Sequence, residues 1–382
     1  MAGEVQAAWV AAGASLTVSA ISLLASIWTN VRADRNQAAQ NATARSLAEL
    51  ESRLSRENDA AKAKQDYEYE ARKRLYAELY PLAYQLQMTS LSALHRIMNL
   101  ALAAREGHLA AGDDNWLTGR DPYYFTNTLH SLLAPLAVYE LMTRKLTSLD
   151  LRLDRDLHLI QLVARKAYSG MRSDYDLVAP RYPSIALGPD HRRYEPPEIR
   201  PDAMPGEGAQ RWVWRQGLYS GQISQAVDVL LKAEKNSIRA LTYAEFAKAL
   251  GGADLRAHDP PAGATEHAMW RSLRPLSDVF RDFHPARRPV TWRILLAQGA
   301  CYRAIVAAQA GLSTPADVLA AARFAGAKDR ADFDWIGDGS LSIPPALSGA
   351  IDFAAERDSA FTTADLYLER TFSGFGEFYG AG

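Results

Sequence analysis

The chain has 382 residues, 48% of them apolar, and its 43 basic and 44 acidic side chains leave a formal net charge of −1. That balance offers no excess positive charge to hold a phosphate backbone, so nucleic acid is not expected as a partner. The single cysteine, Cys301, excludes an intrachain disulfide framework and any cysteine-rich metal site, in keeping with a reducing compartment.

Residues 5–31 carry no charge, and at 1.5 Å per residue the run is long enough for a hydrocarbon core of about 30 Å. It predicts a transmembrane anchor over residues 1–31. Trp9 and Trp28 stand about 28 Å apart on such a helix, where aromatic side chains meet the two headgroup layers. Only Glu4 precedes the run, whereas Arg32, Arg35 and Arg45 follow it, so the expected orientation is N-terminus outside and body cytoplasmic, in the cell membrane. A cleaved signal would begin with a basic segment and have a shorter apolar stretch. Ala7, Ala11, Ser15 and Ser19 recur every four residues, the small-residue ridge that lets two membrane helices approach closely.

From residue 32 to residue 80 there is neither proline nor glycine, and helix-favouring residues predominate. The reading is a helical stalk over residues 32–75. Leu47, Leu50 and Leu54 take a, d and a spacing, a weak coiled coil.

The body follows in two helical halves, residues 76–178 and 209–373, separated by a stretch at 179–208 that holds seven prolines and reads as a linker. In the first half Leu79, Leu82, Leu86, Leu94, Ile97 and Leu100 form an apolar face, with Pro81 as a kink or restart. Asp121-Pro122 opens a helix as N-cap and first helical residue. The next carries Leu149, Leu153, Leu157, Ile160, Ala164 and Ala167 as its buried stripe and ends at Gly170.

In the second half Trp212 and Trp214 open a helical pattern through Leu231. Thr242 with Glu245 makes a capping box for a short helix ending at Gly251-Gly252. Further helices are expected over residues 266–283 and 292–309, from Thr314-Pro315 with Asp317, and from Pro344-Pro345 to Leu368. Residues 374–382 read as a glycine-rich tail. No segment shows strand alternation, so the fold class is all-α: anchor, helical stalk and multi-helix cytoplasmic body.

Thr128-Leu129, Leu133, Ala137, Glu140 and Arg144, with the earlier Ala83-Tyr84-Gln85-Leu86-Gln87, resemble an uncharacterised family of bacterial and some plastid proteins that have an N-terminal apolar segment and a helical body. The resemblance covers residues 75–153 and, more loosely, residues 288–308. It implies the architecture and no chemistry, and the proline-rich middle looks like an insertion.

Candidate chemistry is sparse. Asp150, Asp154 and His158 fall at i, i+4 and i+8, so a helix would carry them on one face where a carboxylate and an imidazole can share a metal; the alternative is a solvated polar face. Asp332, Asp334 and Asp338 form an acidic turn without the twelfth-position carboxylate of an EF-hand. Glu140 and Arg144 pair at i,i+4 within an apolar helix, where a charge near a buried face needs a partner. Arg211 to Arg215 interleave cations with Trp212 and Trp214, either a headgroup-docking element or a helix start with core tryptophans. There is no HExxH, nucleophile elbow or phosphate loop, and no metal or cofactor is expected.

The sequence therefore predicts a single-pass membrane protein that self-associates through anchor and stalk and presents its body to an unidentified cytoplasmic protein. A signalling or defence effector is one form of that reading. The alternative is a membrane-surface enzyme with a polar site between the halves, built on Glu140, Arg144, Asp154 and His158.

Overall fold

The first helix carries the longest unbroken backbone of the fold. In the computed structural model, which describes residues 2–109, 115–119, 121–146, 150–171, 186–187, 194–195, 218, 220–235, 237–257, 268–281, 283–286, 288–312, 314–336 and 353–380, helix α1 runs from Ala2 to Arg105. Two compact units divide at this helix, Met1–Glu70 and Ala71–Gly382.

The first unit is α1 alone, and every described side chain from Gly3 to Tyr67 is exposed. By length and composition α1 is also the one helix, among the described residues, that can cross a membrane. Lys64 and Glu68 pair at 4.0 Å on its polar stretch, an i,i+4 contact of the kind that supports solvated helices.

In the second unit the remainder of α1 has a buried stripe through Leu75, Leu79, Leu86, Ile97 and Leu100. The expected restart at Pro81 is not there; the helix continues across it. A proline inside a helix costs about 3 kcal/mol, and the burial of Leu79, Ala83 and Leu86 around it offsets that.

Helix α2 (Pro122–Leu146) follows, its Asp121 carboxylate accepting from the Tyr123 amide at 2.8 Å. A single 3₁₀ turn, Leu151–Leu153, leads into α3 (Arg155–Gly170). Two residue pairs of the proline-rich stretch are described, strands β1 (Ala186–Leu187) and β2 (Tyr194–Glu195), which run antiparallel. The Arg211–Arg215 cluster lies outside the described residues, as do Pro344-Pro345, Leu149 and Asp338.

The expected helix through Leu231 ends early. Helix α4 (Ser220–Asp228) gives way to a hairpin of β3 (Leu231–Glu234) and β4 (Ser237–Ala240), paired Leu231 to Ala240 and Glu234 to Ser237. Arg239 clamps it, donating to Glu234 at 2.8 Å and to both Glu245 oxygens at 2.6 and 2.7 Å. Helix α5 (Tyr243–Ala249) starts with the expected Thr242–Glu245 capping box, and Gly251 and Gly252 take positive φ values of 59° and 80° after it.

Helices α6 (Ala268–Phe280), α7 (Pro289–Gln309), α8 (Pro315–Ala322) and α9 (Phe353–Gly380) complete the unit. Helix α7 is central, buried on all sides from Val290 to Tyr302, and α3, α8 and α9 pack around it. One core holds Leu86 to Val163 together with Ile223 to Phe375, so helices from both sides of the proline-rich stretch share it. The expected glycine-rich tail is instead helical to Gly380. Phe372 and Phe375 are buried there, and that burial offsets the roughly 1 kcal/mol each helical glycine costs.

Candidate functional site

Three groups of side chains are candidates for a functional role, and the first lies on α1. Ala7, Ala11, Ser15 and Ser19 are exposed, as are Trp9 (75%) and Trp28 (65%). The Arg32 guanidinium stands 5.4 Å from the Trp28 ring centre, a cation–π pair at the polar end of the apolar run. The Thr17, Ser26 and Thr29 hydroxyls donate to backbone carbonyls three or four residues earlier. Ser15 and Ser19 have no such bond among the described residues. Leu47, Leu50 and Leu54, at 50–56% exposure, bury nothing within the chain.

The second group is the polar set read from the sequence, and its members contact different partners. Glu140 and Arg144 pair at 3.0 Å, and Arg144 also donates to Asp228 of α4 at 2.5 Å. Those bonds, Glu140 first, hold the Arg144 pKa above its ordinary value, so the charge is fixed in a partly exposed bridge between α2 and α4. Asp150 and Asp154 are not on a helix face with His158. Asp150 caps the 3₁₀ turn and Asp154 caps α3, accepting from Leu157 N at 2.9 Å. A carboxylate just before an apolar run satisfies the orphan amides of the first turn, which here overrides helical spacing. His158 packs edge-on to Phe375 at 5.7 Å, and burial lowers its pKa while Asp150 pulls the other way. Among the described residues no group of three or more His, Cys, Asp or Glu side chains could hold a metal ion. Asp334 of the acidic turn pairs with Arg357 at 3.3 Å.

The third group was missed in the sequence. Arg96 of α1 is only 9% exposed, yet among the described residues it has no carboxylate partner and no hydrogen-bond acceptor. Its guanidinium sits 5.5 Å from the Trp116 ring centre. Trp116 packs on Tyr124 at 5.1 Å, Tyr123 on Tyr124 at 5.4 Å, and Tyr123 on Tyr243 at 5.5 Å. His130 continues the chain of rings to Tyr243 and Phe246, its ring nitrogen 3.1 Å from the Leu241 carbonyl. Burial lowers the Arg96 and His130 pKa values and raises that of Tyr243. These residues come from α1, α2 and α5 and from the segment between the first two, so no local spacing announces them.

No protein-family model matches the chain, and neither does any curated protein or solved structure.

Proposed function

We propose that the chain is a single-pass membrane protein that self-associates and works by protein–protein interaction. The observation that carries this is the exposure of a charge-free helical surface: Leu16, Ile21, Leu24 and Ile27, like Trp9 and Trp28, are 50–75% exposed. Each such side chain gains about 1.5–3 kcal/mol on leaving water, and a contiguous apolar surface of this extent marks a membrane or protein contact. The hydroxyls of Thr17, Ser26 and Thr29 bond within the helix, which suits them to hydrocarbon. Arg32, Arg35 and Arg45 on the C-terminal flank favour a cytoplasmic body.

Self-association follows from the ridge of Ala7, Ala11, Ser15 and Ser19. Two helices meeting there approach closely, and the Ser15 and Ser19 hydroxyls gain acceptors on the facing helix. Leu47, Leu50 and Leu54 extend the contact as a coiled coil. The body then meets an unidentified cytoplasmic protein, and a signalling or defence effector is one form of that reading. The family resemblance read from the sequence is in keeping with this architecture and adds no activity. The ion-paired state of Glu140 and Arg144 favours this reading over a membrane-surface enzyme built on them.

Alkaline carbonate washing of membranes from cells making the full chain tests the anchor. The protein is expected in the pellet. Release of most of it to the supernatant contradicts a spanning helix.

A further inference from the structure

A guanidinium has five N–H donors in one plane, and those of Arg96 meet no acceptor among the described residues, although the side chain is nine-tenths buried. Its carbon lies over the Trp116 ring, 5.5 Å from the ring centre. A cation–π contact takes up no N–H donor, and the donor geometry of a guanidinium matches the two oxygens of a carboxylate or phosphate.

Around this cation the walls are aromatic. Tyr124 adjoins Trp116, and Tyr123 links Tyr124 to Tyr243. Tyr123 and Tyr124 are 47% and 37% exposed, so this side of the cluster is open to solvent. Among the described residues no carboxylate pairs with Arg96: Asp121 caps the Tyr123 amide at 2.8 Å, and Asp254 is paired with Arg256 at 2.8 Å. Among the described residues Arg96 is thus a buried cation that pairs with no carboxylate, beside aromatic faces that a flat ring can join.

We propose that Arg96, Trp116, Tyr124 and Tyr243 bind the oxyanion of a small aromatic ligand, an aryl carboxylate or aryl phosphate. The oxyanion takes the in-plane donors of Arg96, and the ring stacks against the tyrosines. Burial disfavours the charged form of Arg96, and an anion in contact offsets that penalty. The site lies in the unit Ala71–Gly382 and stands independently of the membrane reading.

Calorimetric titration of the full chain in detergent micelles tests it, with benzoate and phenyl phosphate as probes and acetate and inorganic phosphate as ring-free controls. At least one aromatic oxyanion is expected to bind saturably, at least tenfold tighter than its ring-free counterpart. Arg96→Met should weaken it at least tenfold. Tyr124→Ala, at an exposed side chain that leaves the core intact, should weaken it several-fold. The proposal is overturned if neither aromatic probe saturates, if the ring-free anions bind as tightly, or if binding survives both substitutions unchanged.

Discussion

The Tyr367 hydroxyl donates to the Lys166 carbonyl at 3.0 Å while the Lys166 ammonium lies 4.0 Å from the centre of the Tyr367 ring. Two residues 201 positions apart thus join α9 to α3 by a hydrogen bond and a cation–π contact. Tyr367→Phe keeps the ring and removes the hydroxyl, and should cost about 1 kcal/mol. Tyr367→Ala also removes a buried ring, which should raise the loss to about 3–5 kcal/mol. Denaturant unfolding of the two variants measures the difference.

Asp365 is buried on α9, and its carboxylate accepts from the Phe324 amide at 2.8 Å and the Ala325 amide at 2.9 Å. It holds the chain where α8 ends. Asp365→Ala leaves both amides without a partner, at a cost of about 2–3 kcal/mol, whereas Asp365→Asn keeps one acceptor oxygen and should lose less. Melting temperatures should rank wild type, Asn, then Ala.

Burial depresses the His130 pKa, with the Leu241 carbonyl opposing, and burial likewise depresses that of His158. Below the ordinary histidine value of about 6.5, the unfolded chain takes up protons that the folded state resists. Stability from these groups is therefore complete above that pH and falls as pH drops through the folded pKa values. The urea midpoint should be lower at pH 5.5 than at pH 7.5. His130→Gln, which keeps a side-chain N–H for Leu241 and does not titrate, should show a smaller drop; an unchanged drop would remove His130 from the account.

The orientation can be read with thiol reagents, because the native cysteine is silent. Cys301 is fully buried and its pKa is pushed up to about 12 by burial, so it stays protonated and unreactive. A membrane-impermeant maleimide applied to intact cells should label Gly3→Cys and spare Ser52→Cys. The reverse pattern means the opposite topology.

Helix starts were legible in the sequence because their chemistry is local. Asp121-Pro122, Thr242 with Glu245, and Thr314-Pro315 with Asp317 each cap the helix they announce. The same rule applied to Asp154 would have placed it at the start of α3 rather than on its face. What depends on distant partners was not legible. The helicity of residues 374–380 rests on Phe372 and Phe375 finding a core, and the hairpin of β3 and β4 is only four residues a strand, too short for alternation to register. Arg96 reads as one more cation on an amphipathic helix until Trp116, Tyr124 and Tyr243 close around it.

On the function proposed above, residues 1–31 anchor the chain in a membrane and bring copies together there. Light scattering with detergent subtraction, applied to the full chain and to a deletion of residues 1–31, tests it most directly. The full chain should need detergent and have the mass of an oligomer, and the deletion should be monomeric in plain buffer. Two chains that are both soluble without detergent and have the same number of copies would contradict it.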